Sequence, residues 1–252
     1  MIIYKSCKGC RDYIRRNDIR TFVNDRIRKE VVSKFRDQTM ICPSCHQPAT
    51  YRQWDSINAD LDPELRKEIL SGKIYNWNCP HCGRLYKVLS PTLYHDMKRK
   101  FMIYFDPRRP KEGDGFTLPP DKKYIKFFKD YTYRSAFDFN DFREKIIQLE
   151  SGLDDRIIEL MKDVACYDNP PEGFPEDTEY RFCCVLPEEG EPEKILFECY
   201  FPKLSDNAFM PVPYEFYQNL EKEPMTNKIF EQMADFPEVS HSFLLEILKR
   251  KT

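Results

Sequence analysis

The sequence predicts an α+β protein, and three observations carry that expectation. Two matched pairs, Cys42-Pro-Ser-Cys45 and Cys79-Pro-His-Cys82, are separated by 33 residues, a spacing suited to two metal-binding turns. Runs of aromatic and β-branched residues bounded by turn formers flank these pairs, as strands of an antiparallel sheet do. Later segments carry apolar residues at three- and four-residue steps, the period of amphipathic helices. The architecture expected is an antiparallel sheet domain with an inserted helix, followed by a second α+β domain.

Taken in order, residues 1–38 read as a basic helical segment. Ile19, Phe22, Val23, Ile27, Val31 and Phe35 recur at helical steps among Arg and Lys, which predicts a helix over 11–37. Residues 39–110 form the sheet domain. ATYRQWDSIN alternates as a strand; Asp62 caps a short helix with Pro63 at its first position, stopped at Gly72. KIYNWN, RLYKVL and FMIYFDP then read as strands. Residues 111–123 lie in a run rich in Pro, Gly and charge, and read as a linker. Residues 124–252 form an acidic α+β domain. Its predicted elements are a helix over Phe139–Glu150 ending at Gly152, a helix from Asp154 to Ala165, a hairpin over Glu179–Tyr200, and a last helix from about Pro237 to Lys251.

The cysteine pairs carry the chemistry. Each places two thiolates on a tight turn, and two such knuckles together make the Cys₄ tetrahedron of a closed, structural zinc site. The repeated proline fixes φ near −65° and helps set each turn. Gly83, directly after the second knuckle, suits the positive φ the chain needs to leave it; His46 stands at the equivalent place in the first. The predicted ligands of Zn²⁺ are therefore Cys42, Cys45, Cys79 and Cys82, in a zinc-ribbon-like sheet. Cys7-Lys-Gly-Cys10 is a third pair with three open readings: part of a second metal site, ordinary thiols, or a redox pair at a helix start.

Through ICPSC, WDSINADLDPELRKEILSGKIYNWNCPHCG and PTLYHDMKRKFMIYFDP, the chain resembles the CpXC family, whose name denotes paired Cys-Pro-x-Cys motifs. EKIIQLESGLDDRIIELMKD is similar to the region that follows in such proteins, so the resemblance covers about residues 40–165. It implies Cys42, Cys45, Cys79 and Cys82 as the paired cysteines and brings no established activity with it. The segment holding Cys7 and Cys10 and the last 80 residues lie outside it.

Composition narrows the function classes. With 8 glycines in 252 residues and neither GxGxxG nor GxxxxGK, the two common phosphate-cradling fingerprints are absent. No run approaches 18 apolar residues and MIIYKSCKGC is no secretory signal, so the expectation is a cytoplasmic protein without a membrane partner. The net charge of −2 conceals a gradient: residues 1–150 carry +10 and residues 151–252 carry −12. Either the basic part meets a polyanion or the two parts attract each other.

The leading functional reading is a zinc-stabilised interaction module contacting protein or nucleic acid, with Arg52, Trp54, Trp77, Arg84, Tyr86 and Lys87 as surface candidates. A homo-oligomer stays open. A second reading is a rubredoxin-like iron or thiol redox protein, because Trp77-Asn-Cys79-Pro-His-Cys82-Gly83 is similar to the second knuckle of rubredoxins. A third is an enzyme with an unrecognised active site. Its best dyad, His95-Asp96, is poorly placed, since neighbours on a strand point to opposite faces.

Overall fold

The computed structural model describes residues 32–108, 130–187, 193–203, 207–231, 238–240 and 244. The fold is α+β. Its first sheet has five strands in the order β1-β2-β5-β6-β7: β1 (Lys34–Ile41), β2 (Pro48–Asn58), β5 (Thr92–Asp96), β6 (Phe101–Phe105) and β7 (Thr132–Ala136). Between β2 and β5 come helix α1 (Pro63–Ser71), a 3-10 turn (Lys73–Tyr75) and a hairpin of β3 (Asn76–Asn78) and β4 (Leu85–Lys87). Helices α2 (Phe139–Glu150) and α3 (Asp155–Lys162) lead through a π-helical turn (Asp163–Tyr167) into a second sheet, ordered β10-β9-β8. That sheet comprises β8 (Glu179–Leu186), β9 (Lys194–Tyr200) and β10 (Ala208–Pro213), and helices α4 (Tyr214–Lys222) and α5 (Pro224–Phe230) follow it.

Local signals set several boundaries where expected. Pro63 opens α1, although Asp62 before it makes no side-chain capping bond, and Gly72 ends the helix in the left-handed conformation at φ +73. A Cβ at Gly72 would sit 3.2 Å from the Phe139 ring, so close packing as well as backbone conformation calls for glycine there. Asp138 Oδ1 accepts from the backbone N–H of Asn140 at 2.7 Å and caps α2. Asp154 accepts from Arg156 N–H at 3.0 Å and caps α3. The hairpin expected over Glu179–Tyr200 is β8 and β9 in antiparallel register, with an irregularity between Phe182 and Cys184.

Three expectations are corrected. The helix expected to reach residue 37 does not: β1 begins at Lys34 and pairs with β2 along eight residues, a ladder that overrides local helical spacing. KIYNWN is not one strand. Lys73–Tyr75 turns tightly after Gly72, which buries Ile74 and Tyr75 under the sheet and leaves only Asn76–Asn78 extended. The sheet is mixed, not antiparallel, because β2 runs parallel to β5 and β6 parallel to β7. A crossover as long as the one carrying α1 and the β3–β4 hairpin allows the chain to return in the same direction. The final helix expected over 237–251 lies almost wholly outside the described residues.

One core lies between the five-stranded sheet, α1 and α2, around Ile57, Ile69, Tyr75, Tyr94, Phe105 and Phe142. Phe105 and Phe142 stack with ring centroids 5.0 Å apart. Burial of side chains this size contributes about 1.5–3 kcal/mol each. Thus β7 and α2, which follow residues 111–123, complete the sheet and core begun before them. A second core joins α3, the three-stranded sheet, α4 and α5.

Between the two cores runs a buried ionic network. Asp155 is bonded by Arg134 through Nε and Nη2 at 2.8 and 2.7 Å, and Lys145 reaches Glu159 at 2.6 Å. Lys162 pairs with Glu144 at 2.9 Å and with Glu159 at 2.8 Å, and Glu144 also accepts the Phe182 N–H at 2.8 Å. All six side chains are at most 8% exposed, so charge is balanced three against three out of water. Burial opposes ionisation of Asp155 and Glu159, yet the surrounding cations hold both below the ordinary carboxylate range. Groups so depressed contribute stability that is present above the unfolded carboxylate range and is lost as pH falls through their folded values. Glu159→Gln leaves Lys145 and Lys162 facing each other with one charge too many. It should cost about 3–5 kcal/mol at neutral pH, read as a drop in the urea midpoint, and a loss under 1 kcal/mol would contradict the network.

Candidate metal centre

The four cysteines meet because each knuckle is the turn of a hairpin. Cys42 to Gln47 joins β1 to β2, and Cys79 to Arg84 joins β3 to β4. The two turns repeat one hydrogen-bond pattern. Cys42 N–H donates to Gln47 C=O at 3.0 Å and His46 N–H donates back to Cys42 C=O at 2.9 Å. Cys79 N–H donates to Arg84 C=O at 2.9 Å and Gly83 N–H to Cys79 C=O at 2.8 Å. Both turns close with a positive φ, +57 at His46 and +71 at Gly83, as their sequence positions predict. For a residue with a Cβ this conformation costs roughly 1–2 kcal/mol. Nothing lies within 4 Å of a Cβ placed on Gly83, so Gly83→Ala reports backbone strain alone. It should destabilise by about 1 kcal/mol, and His46→Gly should do the reverse; urea midpoints of both variants check this.

The knuckles face each other across the fold. Sγ of Cys42 lies 3.7 Å from Sγ of Cys82, and Sγ of Cys45 lies 3.6 Å from Sγ of Cys79. All four sulfurs fall within 4.8 Å of one another, and this cluster could hold a metal ion. A regular tetrahedron with metal–sulfur bonds of about 2.3 Å has edges of about 3.8 Å, so the cross-knuckle pairs already match.

The proton chemistry of the cluster fits a cation as well. Burial pushes the Cys42 thiol up, but the backbone N–H groups of Cys45 and Ser44 and the Tyr86 hydroxyl outweigh it and bring it down to about 6. Cys45 moves the opposite way. The Gln47 N–H lowers it, while burial and the neighbouring cysteines raise it further, to about 12. Four thiols this close cannot all ionise against one another; a divalent ion inverts that repulsion.

The site is buried on the side of Cys42 and Cys79, while Cys45 is half-buried and Cys82 exposed. Cys42 and Cys79 are buried with Tyr51 and Trp77. Trp77 Nε1–H donates to Thr50 C=O at 3.0 Å, and Tyr51 O–H donates to Val88 C=O at 3.0 Å, tying the two hairpins together. Tyr86 O–H donates to Ser44 Oγ, which also accepts from Arg84 at 2.8 Å. His81 stays exposed and contacts Pro48 C=O at 3.1 Å, and neither His46 nor His81 belongs to the sulfur cluster.

Other candidate residues have different employment. Arg52 donates to Asp37 at 3.2 Å and lies over the Phe35 ring at 3.9 Å. Trp54 packs edge-on against Phe35, and Lys87 lies 4.2 Å over the ring of Phe139. His95 and Asp96 part as strand geometry requires. Asp96 accepts from Arg99 N–H at 2.7 Å, while His95 Nε2 lies 3.4 Å from Tyr131 Oη. Burial holds His95 down at about 4, against the opposing pull of the Asp60 and Asp96 carboxylates. Cys7 and Cys10 lie outside the described residues. Sequence reasoning missed the ionic network. Its one signal is the spacing of Asp155, Glu159 and Lys162, which puts them on one helical face.

No helix among the described residues is long and apolar enough to cross a membrane. No curated protein and no solved structure matches the chain. The family model described as CpXC protein matches residues 40–162, a span that begins just before the first knuckle and ends at Lys162 of the buried network. Over that span, just under half of its length, the chain is similar to the CpXC family.

Proposed function

We propose that Cys42, Cys45, Cys79 and Cys82 hold one structural Zn²⁺ in a zinc-ribbon-like pair of knuckles, and that the protein works as an interaction module. The observation that carries this reading is the pair of cross-knuckle sulfur distances, 3.7 and 3.6 Å, at the edge length of a zinc–thiolate tetrahedron. Four thiolates close the coordination shell, so the ion organises the fold and takes no substrate. A reducing compartment such as the cytoplasm keeps those thiols available to the metal.

Metal analysis tests the reading directly. One zinc per chain in a colourless protein is the expected result; a red protein with visible thiolate-to-iron absorption would establish the iron alternative instead. Binding energy at such a site is folding energy. Chelation, or Cys79→Ser, should therefore unfold the β1–β4 region, with loss of near-ultraviolet circular dichroism from Trp77. An unchanged spectrum sinks the structural role.

A protein partner fits better than nucleic acid. The basic and aromatic side chains nearest the knuckles make internal contacts: Arg52 with Asp37 and Phe35, Arg84 with Ser44, Lys87 with Phe139, and Trp77 within the core. A polyanion would have to pull these away. Gel shifts on DNA and RNA should be absent or weak at 150 mM salt; tight binding that falls steeply between 50 and 200 mM salt would reverse the choice, as phosphate contacts require.

A further inference from the structure

A cleft of about 170 Å³ opens between α2, the π-helical turn and the start of β8, above the buried ionic network. It is far larger than one water needs. It continues through Asp141, Glu179 and Arg181 into a wider groove of about 600 Å³. We propose that this cleft is a binding site for a primary ammonium group, carried by a small alkylamine or by a lysine side chain.

Charge pairing comes first. Every cation lining the cleft has its carboxylate: Lys145 has Glu159, Lys162 has Glu144 and Glu159, and Arg181 has Glu179. Asp138 is taken by the N-terminus of α2. Asp141 is left over, lining both the cleft and the groove, and its carboxylate has no ion pair among the described residues. Among the described residues the cleft therefore carries one more negative charge than positive; Arg143 lines only the groove beyond it.

A second observation is independent of charge. Tyr180 is 4% exposed and lines the cleft, yet its buried hydroxyl oxygen has no hydrogen-bond partner among the described residues. A buried hydroxyl left unmade costs about 1–3 kcal/mol; an ammonium offers it a proton. Beside it stands Tyr167, edge-on to the Tyr180 ring at 5.0 Å and 36% exposed. Aromatic faces together with a carboxylate are the usual surroundings of a bound ammonium. Tyr167 also belongs to the π-helical turn, an irregularity that concentrates at functional sites.

The unbalanced carboxylate is a cost to the folded chain. Desolvation, then the nearby charges of Glu144 and Asp138, lift Asp141 to about 6; Lys162 opposes them and Glu159 adds to them. A bound cation relieves that cost.

Titration calorimetry of the full chain at pH 7.5 tests the proposal with three probes: putrescine, Nα-acetyl-lysine methylamide and the uncharged Nα-acetyl-norleucine methylamide. Saturable binding of at least one ammonium probe, without the norleucine compound, is the expected result. Putrescine alone identifies a free amine as the source, and the lysine compound alone a peptide side chain. Asp141→Asn should weaken binding at least tenfold while leaving the melting temperature unchanged or higher. Tyr180→Phe should weaken it severalfold and serves as the second variant. Absence of saturable binding by both ammonium probes overturns the proposal, as does unchanged affinity in Asp141→Asn. Neither outcome bears on the zinc reading, which metal analysis decides separately.

Discussion

Helix α2 buries both of its faces, and the second face is charged. Phe139, Phe142 and Ile146 complete the core beneath the five-stranded sheet. Glu144, Lys145 and Gln148 on the other side enter the network shared with α3, β7 and β8. A helix used in this way cannot shift along one sheet without breaking ion pairs to the elements around the other. Removing either partner of a buried pair leaves the other charge desolvated, which costs far more than the pair gains when intact. The network therefore acts less as glue than as a constraint on how the two cores meet.

The same constraint gives the charge gradient along the chain a structural meaning. The +10 of residues 1–150 and the −12 of residues 151–252 suggest either a polyanion partner or mutual attraction. Part of the attraction is internal. Arg134 and Lys145 come from the basic stretch, Asp155 and Glu159 from the acidic one, and they meet in the interior. The remaining acidic excess of residues 151–252 lies partly along the cleft and groove, at Glu179 and Glu198.

The knuckle end is organised differently, since it has little core of its own. Cys42, Tyr51, Trp77 and Cys79 form a small cluster, and three of the strands around it are eight residues or fewer. Hairpins this short are marginal in water without another constraint. Convergence of four sulfurs supplies one, and the two turns that carry them share one hydrogen-bond pattern. In the proposed reading, a metal ion does for this end of the sheet what α2 does for the other.

What could be read from sequence was what local chemistry decides. Paired prolines and cysteines specify the knuckles, Gly83 and His46 their exits, Pro63 and Gly72 the limits of α1, and Asp138 and Asp154 the starts of α2 and α3. Each of these acts within a few residues, so one sequence suffices. The tertiary structure alone decided the rest. The helical spacing that includes Phe35 gives way to a strand, because β2 offers Lys34–Ile41 a full ladder. Asp155, favourable at a helix N-terminus on local grounds, is bonded by Arg134 from a strand 21 residues away. The cleft exists because α2, the π-helical turn and β8 converge, bringing Asp141, Tyr167 and Tyr180 together. Periodicity reports which face of a helix is apolar; it carries no information on which charge will find its partner out of water.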